Sequence, residues 1–100
     1  MAKLSSASIR SRLKSLDGWE STGDAIERTF KFSSFPDSLV FVTRLGFDAE
    51  AADHHPDLLI CYRKVTVTWS THSAGGLTEK DFAGARQSDM IAARLGATKA

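Results

Sequence analysis

Cysteine is nearly absent from this chain, since Cys61 is the only one among 100 residues. A single thiol excludes an internal disulfide, so a hydrophobic core has to hold the fold together. Long apolar runs are also missing: nothing approaches the roughly 20 residues of a membrane span, and the first residues lack the apolar segment of a secretory signal. These absences predict a cytoplasmic protein of one domain, residues 1–100, with no membrane association.

An excess of either charge is likewise lacking. Thirteen basic residues stand against twelve acidic ones, which gives a formal charge of +1. Such a balance provides no long-range attraction for DNA, RNA or an anionic membrane, so we expect no direct nucleic-acid binding. Hydrophobic residues make up 42% of the chain and charged residues 25%, as in an ordinary globular domain rather than a disordered one.

Apolar residues at helical spacing predict three helices. The first is indicated by Ile9, Leu13 and Leu16, with serines before it as caps and Gly18 after it as a stop. The second is predicted from about Pro36 to Asp53, and its apolar face is expected to consist of Phe41, Leu45, Ala49 and Ala52. The third begins at a capping box and ends near a glycine, and the residues that mark these two ends are Thr78, Asp81 and Gly96.

Residues that alternate with period two predict two hairpins. In the first, a segment at Trp19 and a turn at Thr22-Gly23-Asp24 supply the partner of a strand from Ile26 to Phe32. From Ile26 to Phe32 one face is apolar apart from Arg28, for which a structural salt bridge is the favoured explanation over a substrate contact. Two further strands, Leu58 to Tyr62 and Val65 to Thr71, are joined by Arg63 and Lys64. If the last strand continues its pleat, His72 lies on its polar face.

The predicted order of elements is therefore α-β-β-α-β-β-α. It indicates an α+β fold with a four-stranded antiparallel sheet and three helices packed on one face. The other face is left for solvent or for a subunit interface. Because the chain is also small, we expect a homodimer or a homotetramer.

All three histidines fall within residues 54–72, as His54, His55 and His72. Imidazole exchanges protons near neutral pH, so this grouping favours general acid and base catalysis, with His54 after a helix and His72 after a strand. A metal site that includes neighbouring carboxylates is a weaker alternative, because adjacent histidines usually point apart. A nucleophilic triad lacks its Gly-x-Ser-x-Gly motif. An ordinary capping or surface role stays open.

Several of these residues form a longer pattern: Glu50-Ala-Ala-Asp-His-His-Pro56, Tyr62, Val65, Val67, Thr71-His72 and Gly76-Leu-Thr-x-x-Asp81. The pattern resembles the pterin-4a-carbinolamine dehydratases, and the resemblance covers about residues 4–95. Upstream positions agree with the same family, namely Trp19, Arg28, Phe30, Phe32 and Phe35.

The resemblance implies an enzyme that removes water from a 4a-hydroxytetrahydropterin to give a quinonoid dihydropterin, without metal or cofactor. It implies His54 and His72 as the acid and base, and His55 in pterin binding with a share in catalysis. The other residues that it places near the pterin are Glu50, Asp53, Pro56, Ser70, Thr71, Ser73 and Asp81. It also implies a functional link to an aromatic amino acid hydroxylase.

One position departs from the family pattern. Leu58 stands where members often carry a tryptophan, so an aromatic surface for a flat heterocycle is lost there. The family also contains members that act as dimerisation cofactors of a transcription factor, and relatives with similar folds serve as assembly factors without dehydratase activity. Binding a protein partner without catalysis is therefore the alternative function, although the assembly factors tend to lose the histidines that this chain keeps.

Overall fold

The computed structural model describes residues 2–100 and contains three α-helices: α1 (Ser6–Leu13), α2 (Phe35–Ala52) and α3 (Glu79–Arg94). Each helix begins at a hydroxyl side chain that accepts a hydrogen bond from a backbone N–H in its first turn. These N-cap residues are Ser5, Ser34 and Thr78. The predicted capping box is present, because the Thr78 N–H donates to the Asp81 carboxylate at 2.9 Å.

Two helix predictions need correction. Helix α1 ends at Leu13, so Leu16 does not belong to it. Leu16 lies in the turn that follows, and its side chain is buried in the core. Its apolar character therefore reflects core packing rather than a longer helix. Helix α2 starts and ends within one residue of its prediction and is continuous through Gly46. Its Ala52 is exposed, whereas Phe41, Leu45 and Ala49 are buried as expected.

The sheet has five strands: β1 (Glu20–Ser21), β2 (Ile26–Lys31), β3 (Asp57–Cys61), β4 (Lys64–Trp69) and β5 (Thr98–Lys99). Four of them lie in the order β1-β2-β4-β3, every pairing is antiparallel, and β5 adds to β2 opposite Phe30 and Lys31. The α+β fold is confirmed. The two-residue strand β5 was not predicted, since Thr98 and Lys99 carry no strand pattern.

The β3–β4 hairpin turns one residue earlier than predicted. Lys64 pairs with Cys61 and Lys31, so it belongs to β4, and the turn consists of Tyr62 and Arg63. Tyr62 has a φ of 55°, the left-handed conformation that short hairpin turns use even without glycine.

The core lies between the helices and one face of the sheet. Ile26 and Phe30 on β2 stand opposite Trp69 and Val65 on β4, and all four are buried. The opposite face is polar along these two central strands, where the Thr29 and Thr66 hydroxyls form a hydrogen bond at 2.7 Å. Within residues 2–100, no helix is long and apolar enough to cross a membrane.

Candidate active site

The end of α2, the end of β4 and the start of α3 lie close together, and hydrogen bonds through Asp81 join His54 to Thr71 there. His54 follows the last turn of α2, Thr71 follows β4, and Asp81 lies in the first turn of α3. Asp53 ends α2 in a left-handed conformation with a φ of 52°. The chain then turns sharply, and the His54 N–H donates to the Ala49 carbonyl at 3.1 Å.

Asp81 connects these elements through both of its carboxylate oxygens. Oδ2 accepts hydrogen bonds from the Thr78 N–H at 2.9 Å and the Thr71 hydroxyl at 2.7 Å. Oδ1 lies 2.6 Å from Nε2 of His54. The side chain is fully buried. Asp81 is therefore both the helix cap that its spacing predicts and a partner of the candidate catalytic imidazole.

The imidazole of His54 is held on more than one side. Its ring stacks on the indole of Trp69, with centroids 5.4 Å apart and an angle of 24° between the planes. Only 13% of its side chain is exposed. Since Nε2 is engaged by Asp81, Nδ1 is the ring nitrogen left for proton exchange.

His55 and His72 are both exposed. Nε2 of His55 lies 2.7 Å from Oε1 of Glu50, so a carboxylate orients this second imidazole as well. His72 begins a short 3₁₀ turn, His72–Ala74, instead of continuing the pleat of β4, which corrects its predicted placement. The turn starts there because Thr71 forms an isolated bridge with Gly76, which closes the loop between them.

The remaining predicted binding residues lie in two segments, Ser70, Thr71 and Ser73 after β4 and Asp53 and Pro56 after α2. The Ser70 hydroxyl donates to the Asp24 carbonyl at 2.7 Å, and the Thr71 hydroxyl is buried against Asp81, so both hydroxyls are already hydrogen bonded within the protein. Ser73 is exposed. Within residues 2–100 the carboxylate of Asp53 accepts no hydrogen bond. Pro56 and Leu58 are both partly buried, and Leu58 packs against the core.

A groove of about 400 Å³ lies between α2 and α3, with His54 and Trp69 in its wall. Sequence reasoning missed this feature. The residues of the groove outside the prediction include Asp48, Trp69, Lys80, Ala83, Gly84 and Gln87. Gly84 was the one residue that could have indicated it, because a glycine inside a helix often marks a place where another element packs closely. A Cβ at this position would lie 2.6 Å from the Trp69 indole.

Charges elsewhere have a structural role. Arg28 forms the predicted salt bridge, with Nη1 2.8 Å from Oδ1 of Asp89, which also accepts from the Trp19 indole N–H at 2.9 Å. Burial raises the pKa of Asp89 above its usual 3.8, although the Trp19 hydrogen bond and the Arg28 charge both lower it. Among residues 2–100, no three or more side chains of metal-ligand type are grouped to hold an ion.

The fold and the site define a small α+β protein in which the buried Asp81 joins His54 to the end of the strand that leads to His72. The sequence profile of the pterin 4 alpha carbinolamine dehydratase family matches residues 2–91, and the chain belongs to this family. Relatives provisionally named pterin-4-alpha-carbinolamine dehydratase include a Roseiflexus sp. (strain RS-1) protein, 52% identical over 89% of this chain and 96% of its own. A Thermomicrobium roseum protein of the same name is 47% identical over 87% of this chain and 94% of its own.

Two solved structures have the same fold. A protein from Brucella melitensis described as a transcriptional coactivator/pterin dehydratase matches with a TM-score of 0.87 and 38% identity over 90% of this chain and 98% of its own. A pterin dehydratase-like protein described as a RuBisCO assembly factor of the alpha-carboxysome matches with a TM-score of 0.64. It is 23% identical over 75% of this chain and 89% of its own, which shows a shared fold alone.

Proposed function

We propose that this protein dehydrates a 4a-hydroxytetrahydropterin to the quinonoid dihydropterin. The observation that carries the proposal is the pairing of His54 with the buried carboxylate of Asp81, in a family member that retains all three histidines. An imidazole fixed in one orientation by a carboxylate is suited to repeated proton transfer. His55 and His72 stay exposed, where a substrate can reach them.

The hydrogen bonds support an ionised Asp81 and a His54 that carries its proton on Nε2. Oδ2 of Asp81 accepts from a backbone N–H and a threonine hydroxyl, as an ionised carboxylate does. Nε2 of His54 then donates its proton to Oδ1. This tautomer leaves Nδ1 of neutral His54 as an acceptor, and protonation there makes it a donor.

The reaction needs one proton donor and one proton acceptor. The acid protonates the 4a-hydroxyl, the C4a–O bond breaks as water leaves, and the base takes the proton from N5 as the C4a–N5 double bond forms. We assign His54 and His72 to these two roles and His55 to binding with a share in catalysis. Backbone groups of residues 70–73 are assigned to the amide edge of the pterin, and the product returns to the pterin cycle of an aromatic amino acid hydroxylase.

The test is the rate of quinonoid dihydropterin formation from enzymatically generated 4a-hydroxytetrahydropterin. We expect His54→Ala and His72→Ala each to lose about 10²- to 10⁴-fold in rate, the usual contribution of a general acid or base. Ala7→Glu on the exposed side of α1 is the control and should keep full activity. If the unaltered protein gives no acceleration, the dehydratase proposal is wrong.

A protein-binding role is the second candidate, because α2 exposes large apolar side chains. Leu39, Val40 and Phe47 are 42%, 51% and 72% exposed, and they lie along one helix. Monomeric proteins rarely leave such a set uncovered. We propose that a second copy of this chain covers it, in a homodimer or homotetramer; the alternative is a different protein, in a non-catalytic dimerisation or assembly role.

A further inference from the structure

A buried serine of α3 is connected to the candidate catalytic histidine through the indole of Trp69. We propose that this serine, Ser88, is a positioning residue for the dehydration and that it orients His54 by holding the indole in one rotation. The inference rests on the proposed dehydratase function and extends it to a core residue of α3.

The hydrogen bond between Ser88 and Trp69 is shielded from solvent. Ser88 is 0% exposed and Trp69 is 2% exposed. The indole Nε1–H donates to Oγ of Ser88 at 3.2 Å, and the serine hydroxyl donates in turn to the Gly84 carbonyl at 2.8 Å. Leaving a buried polar group without a partner is unfavourable, so the serine supplies the acceptor that the buried indole needs.

Packing limits the plane of the indole more than its rotation within that plane. A Cβ on Gly84 would lie 2.6–2.7 Å from Cδ2, Cε2 and Cζ2 of the indole, so the Gly84 backbone faces the six-membered ring. The imidazole of His54 also contacts the indole by stacking. Contacts on the face of a ring have little directional preference, whereas a hydrogen bond at Nε1 is directional. The bond to Ser88 therefore selects one rotation of the indole.

The orientation of the indole in turn sets the direction of Nδ1 of His54. Asp81 holds the imidazole at one atom, Nε2, and a single hydrogen bond leaves the ring free to turn about that contact. The indole stacked at 24° limits this rotation. Because Trp69 also lines the groove of about 400 Å³, there is space into which the indole can turn once the Ser88 acceptor is removed. His54 then loses the surface that fixes its plane.

Three variants separate positioning from stability. Ser88→Ala removes the acceptor and little else. Ser38→Ala is the matched control, because Ser38 is also a fully buried serine of a helix, and its hydroxyl donates to the Tyr62 carbonyl at 2.9 Å, outside the candidate site. Trp69→Phe keeps an aromatic ring but removes the indole N–H, so Ser88 can no longer act on His54 through this side chain.

The experiment measures kcat and KM for dehydration and, by NMR, the chemical shift of the His54 ring protons, which depends on the ring current of the stacked indole. We expect Ser88→Ala to lower kcat about tenfold, as a small misplacement of a reacting group does, and to change KM by less than about twofold. The His54 ring protons should move toward their shifts in an unfolded chain. Ser38→Ala should change neither kcat nor these shifts. Adding Ser88→Ala to Trp69→Phe should lower kcat by less than about twofold further.

Two results overturn the inference while the dehydratase proposal stands. One is an unchanged kcat and unchanged His54 shifts in Ser88→Ala; the other is an equal loss of kcat in Ser38→Ala, which would mean that losing any buried hydrogen bond has this effect. A loss as large in the Trp69→Phe protein as in the unaltered one would also overturn it, because Ser88 would then act without the indole. If the unaltered protein accelerates no dehydration, the proposed function fails, and the NMR measurement, which needs no substrate, decides separately whether Ser88 orients His54.

Discussion

Asp81 shows how one residue can serve the fold and the candidate site together. Its Oδ2 caps α3 through Thr78 and holds Thr71, which precedes His72, while its Oδ1 orients His54. The two histidine segments are therefore connected through a single buried carboxylate. A change of this residue should affect both stability and the orientation of the imidazole.

Asp81→Asn separates these two effects. An asparagine whose oxygen accepts from Thr71 and Thr78 turns its NH₂ group toward Nε2 of His54, which forces the proton to Nδ1. We expect about 1–3 kcal/mol lower free energy of unfolding and a dehydration rate lower by about 10²-fold. Nitrogen NMR of the His54 ring should show the exchanged tautomer.

Asp17→Asn is the control for Asp81, because Asp17 is exposed and distant in sequence from the histidines. It should leave both the rate and the His54 spectrum unchanged. An Asp81→Asn protein that is less stable but keeps the tautomer and the rate would reduce Asp81 to a helix cap.

Asp89 gives a prediction about pH. Burial raises its pKa, so the folded state holds this proton to higher pH than the unfolded chain does. The stabilising contribution is complete below the ordinary value of 3.8 and is lost as pH rises through the raised value. Asp89→Asn cannot titrate. The free energy of unfolding of the unaltered protein minus that of Asp89→Asn should therefore be larger near pH 3.5 than near pH 6 in urea titrations.

The control for Asp89 is Asp57→Asn on the exposed edge strand β3, measured at the same two pH values. It identifies any change that comes from removing an arbitrary carboxylate. A difference for Asp89→Asn that increases with pH would mean that the Arg28 ion pair outweighs burial.

Among the elements, the packing of α3 on the sheet depends on a glycine. Gly84 lies against the Trp69 indole, and a Cβ there would approach three ring carbons at 2.6–2.7 Å. A Cβ added to Gly46 in α2 would meet no atom of a neighbouring element within 4 Å, so alanine fits there without a clash. The two helical glycines are therefore a matched pair with opposite expectations.

We expect Gly84→Ala to lower the free energy of unfolding by about 1–3 kcal/mol, because the indole or the helix has to shift. Trp69 stacks on His54, so the dehydration rate should fall as well. Gly46→Ala should instead raise the free energy of unfolding by about 0.5–1 kcal/mol through the helix propensity of alanine. Thermal and urea unfolding measure both effects, and equal effects of the two changes would contradict the packing argument.

For the molecule as a whole, the exposed apolar side chains of α2 predict self-association. Phe47 is the most exposed of them, at 72%. We expect sedimentation to show a dimer or tetramer, and Phe47→Glu to shift it toward monomer by placing a charge in an apolar interface. Ala7→Glu introduces the same charge on α1 and should not change the oligomeric state. A protein that is monomeric at working concentrations would leave this surface to another partner.

Much of the fold was predictable because its determinants are local. The capping box of Thr78 and Asp81 spans four residues, and the period-two pattern of β2 and β4 follows from alternating side chains. Two boundaries were wrong for a reason of the same kind. Leu16 has helical spacing but lies in a turn, from which its side chain enters the core. Tyr62 is of a residue type common in strands but adopts a left-handed conformation in a turn.

Residues close together along the chain were enough to predict the order of the main elements, the grouped histidines and the family motifs, because periodicity, capping and short motifs act over a few positions. The folded molecule was needed to show that Asp81 meets His54 across 27 residues and that Arg28 meets Asp89 across 61. It was also needed to reveal the groove that α2 and α3 leave beside Trp69. Such contacts depend on how helices and strands pack in space, and the same local patterns are compatible with many other packings.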